Sequence, residues 1–118
     1  MCGKEITDFK RHIKNGGKTM DNLTAKIEEW AFERNLHGAD PNKQILKLGE
    51  EFGEVCEAMA KGYPDALEDG IGDMFVVLTI LAMQNGTSIE HCVGQAYNEI
   101  KDRKGKMLNG VFVKEADL

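Results

Sequence analysis

Two groups of carboxylates stand out in this chain. One is Glu50-Glu51-Phe52-Gly53-Glu54, with Glu57 one turn further on; the other is Asp69-Gly70-Ile71-Gly72-Asp73. Residues three or four apart share a helix face, so on helices Glu51 would point with Glu54, and Asp69 with Asp73. Two such helices facing each other would crowd these anionic side chains into one small volume. Like charges at that range repel, and a hard cation between them relieves the repulsion. An all-oxygen donor set suits Mg²⁺, with Mn²⁺ as a substitute. Mg²⁺ takes one or two carboxylates and completes its shell with water and substrate phosphates.

For Glu50, Glu54 and Glu57 the competing reading is a solvated helix face. Glu51 lies nearer the apolar flank. Asp73 is more telling, because Val76, Val77 and Ile80 follow it at helical spacing and make its face apolar. A carboxylate in such a place pairs, protonates or holds a metal. No lysine or arginine is interleaved within either cluster, which favours the metal over a structural ion-pair network.

Phosphate would need cations. Asn98, Lys101 and Lys104 are spaced by three near the end of the last predicted helix, which would put an amide and two ammonium groups on one face. Ordinary compensation of the helix dipole is the alternative explanation for the lysines. Trp30 and Arg34 on the first helix, with Gln44 and Lys47 on the second, are candidates to flank the same cleft, although a lone tryptophan at helical spacing is more often core. His12, His37 and His91 are scattered without ligand spacing, and there is neither a phosphate-binding G-x-x-x-x-G-K-[ST] nor a G-x-S-x-G nucleophile motif.

The elements that must position these groups are helical. Leu23, Ile27, Trp30 and Phe32 predict a first helix over about 22–35, followed by a loop over 36–39. Asp40-Pro41 is a helix start, and the second helix should run to about Lys61 with Ile45, Leu48, Phe52, Val55 and Met59 on its apolar face; Gly62 stops it. Pro64 begins a third helix reaching about Gln84. Thr87-Ser88-Ile89-Glu90 has the capping-box pattern for a fourth, ending near Arg103. Asn109-Gly110 between Met107-Leu108 and Val111-Phe112-Val113 signals a tight hairpin. The expected architecture is all-α, a four-helix core with a short C-terminal hairpin-like tail. Residues 1–19 are weakly patterned and read as an N-terminal extension; residues 20–118 read as one domain. The third helix is apolar nearly all round from Met74 to Met83, more than four short helices can cover, so a homo-oligomer is expected, dimer or tetramer.

The chain of 118 residues with a net charge of -5 suits one modest domain and disfavours sequence-independent nucleic-acid binding. Three dispersed cysteines, Cys2, Cys56 and Cys92, fit neither a disulfide framework nor a zinc site; Cys56 and Cys92 read as small core residues. The longest apolar run is too short to span a bilayer and no leader pattern opens the chain, so a cytoplasmic protein without membrane contact is expected.

From about Leu23 to Lys114 the chain resembles the MazG-like branch of the all-α nucleoside triphosphate pyrophosphohydrolases, which are related to dimeric dUTPases. The resemblance rests on Glu50-Glu51-x-x-Glu54, on Trp30-Ala31-Phe32-Glu33-Arg34, on Gln44-x-x-Lys47-Leu48, on Lys61-Gly62, and on the tail from Tyr97 through Met107 and Asn109 to Lys114. It implies Mg²⁺-dependent cleavage of a nucleoside triphosphate at the α–β bond, releasing monophosphate and pyrophosphate. By the same resemblance Glu51, Glu54 and Asp73 would hold the metal with Asp69 assisting, Glu50 would position the attacking water or act as its general base, and Asn98, Lys101 and Lys104 would neutralise the phosphates. Trp30 and Arg34, with loop residues, would select the base. The family signature E-E-x-x-E is followed by E-x-x-D, but here Gly70 stands where the second motif has Glu, and Asp69 or Glu68 is left to take that role. A non-catalytic nucleotide-binding or oligomerisation module that retains the fold is the alternative.

Overall fold

The computed structural model describes residues 19–118; residues 1–18, most of the expected extension, lie outside the described residues. Four helices and a terminal hairpin follow one another: α1 (Met20–Glu33), a 3₁₀ turn (Leu36–Gly38), α2 (Pro41–Lys61), α3 (Pro64–Gln84), α4 (Ile89–Ile100), β1 (Gly105–Leu108), β2 (Val111–Lys114) and a last 3₁₀ turn (Glu115–Asp117). The all-α architecture with a short hairpin is therefore as expected from the pattern of the sequence. No helix among the described residues is long and apolar enough to cross a membrane.

Local chemistry sets the helix ends. The Thr19 hydroxyl accepts from the Asn22 N–H at 3.1 Å, so α1 starts two residues before the expected Asn22, and it ends at Glu33. Asp40 Oδ1 accepts from the Asn42 N–H at 2.9 Å and Pro41 opens α2. Gly62 closes α2 in the left-handed region at φ 71°, and only Tyr63 separates it from Pro64 of α3, so α2 and α3 fold back on each other. Ser88, not Thr87, caps α4, by accepting from the His91 N–H; position N3 is then His91, and no reciprocal glutamate completes a capping box. α4 stops at Ile100 rather than Arg103, with Lys101 as its C-cap, and a turn closed by the Arg103 N–H donating to the Ile100 carbonyl at 3.0 Å leads into β1. Asn109 (φ 52°) and Gly110 (φ 80°) form the tight turn that pairs Leu108 with Val111 and Gly105 with Lys114.

The main packing contact is α2 against α3, with α1 and the first 3₁₀ turn laid across α3. The inward row of α2 is Gln44, Leu48, Glu51, Val55 and Ala58, spaced by four and three, all buried or half-buried. This corrects the expected apolar face. Leu48 and Val55 belong to it, but Ile45, Phe52 and Met59 are 48, 57 and 65% exposed. Each follows an inward residue by one position, a rotation of about 100° that turns it away from α3. Cys56 and Cys92 are exposed as well, not core, since they lie off the inward rows. The buried centre is small: Ala31, Ala58, Val77, Ile80, Ala82 and Ile89, with Thr79 donating its hydroxyl to the Phe75 carbonyl at 2.8 Å.

Candidate active site

The antiparallel α2–α3 seam carries the carboxylates. Glu51 comes from the inward row of α2, and Asp73 from the matching turn of α3; both are half-buried. They line a cleft of about 220 Å³ with Trp30, Leu36, Gln44 and Lys47, floored by Val76, Val77 and Ile80. The apolar surroundings expected of Asp73 are thus present. Gln44 closes one end by donating from Nε2 to the Val77 carbonyl at 3.2 Å, which ties the two helices together. Trp30 is 46% exposed, not core, and the Arg34 guanidinium lies 4.4 Å from its ring centroid, anchored by a hydrogen bond from Arg34 to the Trp30 carbonyl.

Glu51 is the electrostatically stressed group. Its Oε2 is shut off from solvent and has no hydrogen-bond partner. Burial pushes its carboxyl above the ordinary range, the negative charges of Glu54 and Asp73 push the same way, and Lys47 opposes them. Among the described residues none of Glu51, Glu54, Asp69 and Asp73 forms an ion pair, so a structural salt-bridge network does not account for them.

The four expected ligands do not all meet at one place: the charges of Glu54 and Asp73 both act on Glu51, while Asp69 does not line the cleft that Glu51 and Asp73 share. Glu54 and Asp69 line a second hollow of about 270 Å³, toward the α2–α3 connection, with Glu57, Tyr63 and Gly70. Glu57 there is committed to Lys61 at 2.7 Å on the surface. Among the described residues no three acidic, histidine or cysteine side chains stand close enough to enclose an ion by themselves. The orphaned Glu51 oxygen beside Asp73 nevertheless fits Mg²⁺, which requires only one or two carboxylates and fills its remaining positions with water and phosphate oxygens.

Other candidates stand apart. Glu50 is exposed and lines neither hollow. Asn98, Lys101 and Lys104 are exposed and border neither hollow, and since α4 ends at Ile100 Lys104 does not continue a helical face with Asn98 and Lys101. Four lining residues are not signalled by the sequence pattern: Leu36 in the cleft, and Ala58, Tyr63 and Ala66 in the second hollow. Leu36 sits in a turn whose placement depends on Gln84 Nε2 donating to its carbonyl at 3.0 Å, a contact 48 positions away that no local pattern announces. Tyr63 was legible only as a linker residue.

A family model of the MazG nucleotide pyrophosphohydrolase domain matches residues 40–108, a stretch that opens at the cap of α2 and closes at the end of β1. The chain belongs to this MazG family. The matched stretch contains both acidic clusters of the MazG domain and its whole α2–α3 seam, while Trp30 and Arg34 lie outside it. The domain is also similar to an uncharacterized 18.2 kDa protein from the rep-hol intergenic region of Haemophilus phage HP1, 52% identical over 67 residues. That match covers 56% of this chain and 41% of the phage protein. No solved structure matches.

Proposed function

We propose that this chain is a Mg²⁺-dependent nucleoside triphosphate pyrophosphohydrolase, cleaving the α–β bond to give the monophosphate and pyrophosphate. The observation that carries the reading is Glu51, with one oxygen buried and unpartnered, lining a cleft together with Asp73, Lys47 and Trp30, in a member of a nucleotide pyrophosphohydrolase family. Glu51 and Asp73 would hold the metal, with Glu54 and Asp69 as the further carboxylates available beside them. Mn²⁺ serves in place of Mg²⁺. When bound, the ion neutralises the phosphates and lowers the pKa of the attacking water. Glu54, one turn from Glu51 on the same side of α2, orients that water or takes its proton. Lys47 offers the cleft's own cation to phosphate oxygens, and Trp30, backed by Arg34, offers a flat face to the base. Glu50 has no part in this reading.

The rows of exposed apolar residues support self-association, as a homodimer or homotetramer. Asn98, Lys101 and Lys104 remain candidates for phosphate contact only in such an assembly, since within one chain they border neither hollow. A nucleotide-binding module without turnover is the second reading, favoured because among the described residues no three carboxylates stand close enough to enclose an ion by themselves.

A panel of ribo- and deoxyribonucleoside triphosphates, assayed for pyrophosphate release with Mg²⁺ and with Mn²⁺, tests the proposal. Metal-dependent release that Glu54→Ala abolishes, with helical content unchanged, is the expected result. Thermal stabilisation by nucleotide with no pyrophosphate formed would select the binding module instead.

A further inference from the structure

Gly70 sits in the middle of the α2–α3 seam, three residues before Asp73, opposite Val55, which lies four residues after Glu51. It is buried and has helical backbone angles, so its φ places no demand for glycine. What demands it is the neighbouring helix. A Cβ at position 70 would lie 2.7 Å from Val55 Cγ2 and 3.9 Å from Val55 Cα. The first distance is shorter than real carbon contacts, and Val55 cannot readily rotate its methyl away, because a β-branched side chain in a helix has one strongly preferred rotamer. At Gly49 and Gly53 of α2 and Gly72 of α3 an added Cβ would meet nothing within 4 Å. Gly70 is the glycine of this helix pair whose missing side chain the packing uses.

We propose that the Val55–Gly70 contact is the spacer that sets the separation of α2 and α3 where Glu51 and Asp73 face their cleft, making Val55 and Gly70 positioning residues for that carboxylate pair. The inference rests on the reading of Glu51 and Asp73 as cation ligands. The spacer works through geometry. The two helices run antiparallel and touch along one seam, so a change in their separation at Val55–Gly70 is felt at the carboxylates one turn away. It also closes position 70 to a carboxylate, since any side chain there must first displace Val55. Gly70→Glu alone would push the seam apart and leave Asp69 as the acid available on that turn.

The test uses Mn²⁺ and the full chain. Trp30 is the one tryptophan and lines the cleft, so paramagnetic quenching of its fluorescence reports cation binding at this place without any turnover. Gly70→Ala should lower the melting temperature of the metal-free protein by roughly 5 °C or more through overpacking. It should also weaken Mn²⁺ binding about tenfold, as loss of a supporting contact does at metal sites. Adding Val55→Ala removes the obstructing methyl. The double variant should melt below the parent, because packing volume is lost, yet recover most of the Mn²⁺ affinity. A residue that served stability alone would not show that recovery. If Gly70→Ala does not fold, a folded double variant binding Mn²⁺ like the parent supports the spacer. Parental affinity in Gly70→Ala, or a double variant that binds as weakly as Gly70→Ala or not at all, overturns the spacer alone. A parent whose Trp30 is not quenched by Mn²⁺ overturns the cation reading of the cleft and the spacer with it.

Discussion

Glu51 shows how one residue can be at odds with its own fold. Its Oε2 is cut off from water and unpartnered, and Glu54 and Asp73 add repulsion, so the charged form is disfavoured in the metal-free protein. The sign of the linkage follows. A carboxyl whose folded-state pKa is raised stabilises the fold fully below its unfolded-state value, near 4.5, and loses that contribution as pH rises through the higher folded-state value. In the presence of a chelator, the melting temperature of the parent relative to Glu51→Gln should therefore rise as pH falls from neutrality toward about 5. Near neutral pH the Gln variant should be at least as stable as the parent. Parallel pH curves for the two proteins would refute this account of Glu51. Protons and the cation compete for the same carboxyl, so Mn²⁺ binding by the parent should weaken over the same interval. The two clusters and the apolar setting of Asp73 were legible from residue types and spacing. That Glu51 rather than Glu54 faces Asp73 was not, because it depends on which row of α2 meets α3.

At the scale of elements, the α2–α3 hairpin is held at its connection by Gly62, whose φ of 71° ends α2 and turns the chain into Pro64. An added Cβ at Gly62 would meet nothing within 4 Å, so the demand for glycine there is conformational. Gly62→Ala should cost about 1–2 kcal/mol in denaturant unfolding, the penalty of a left-handed L-residue, and Gly62→Asn less. Equal, negligible losses for both variants would count against this turn as the constraint on the hairpin. The contrast with Gly70 is informative, since there the backbone is ordinary and the neighbouring helix supplies the restriction. The sequence signals both helix ends here through Gly62 and Pro64, and it signals the hairpin turn through Asn109-Gly110. It mislaid the ends of α1 and α4, where a single hydroxyl cap or the start of a strand shifts the boundary by a few residues.

The whole molecule leaves much apolar surface uncovered. Ile45, Phe52 and Met59 form an outward row on α2, all of α4 from Glu90 onward is exposed, including Val93, Tyr97 and Ile100, and Met107, Val111 and Phe112 of the hairpin are open too. α4 touches α3 over a short stretch only. Such surface is characteristic of interaction sites. The proposed self-association should appear in sedimentation as a stable species larger than one chain at micromolar concentration. Phe52→Lys, at the centre of the outward α2 row, should shift it toward the monomer while helical content is retained, because Phe52 is not part of the inward row. A parent that sediments as a monomer would remove the proposal. The expected reason for assembly was the all-round apolar character of α3, but Val77 and Ile80 of that helix are already covered within one chain. Ile71 of α3 and Met20, Trp30 and Phe32 of α1 are exposed too, and Met74, Phe75, Leu78, Leu81 and Met83 of α3 are only half-buried, so uncovered apolar surface is found on all four helices and the hairpin.

By itself the sequence determined the all-α class, the sites of the tight turns, and the presence and helical spacing of the two acidic clusters. Each of these is a local property, carried by capping residues, backbone preferences and the spacing of side chains along one helix. Tertiary structure decided which of two neighbouring apolar rows of α2 turns inward, which carboxylates of the two helices come to face each other, and why position 70 is glycine. Those outcomes depend on the rotation and separation of one helix against another. A step of one residue turns a helix by about 100°, and a single methyl group decides how closely two helices approach, so neither can be read from one strand of sequence before its partner is in place.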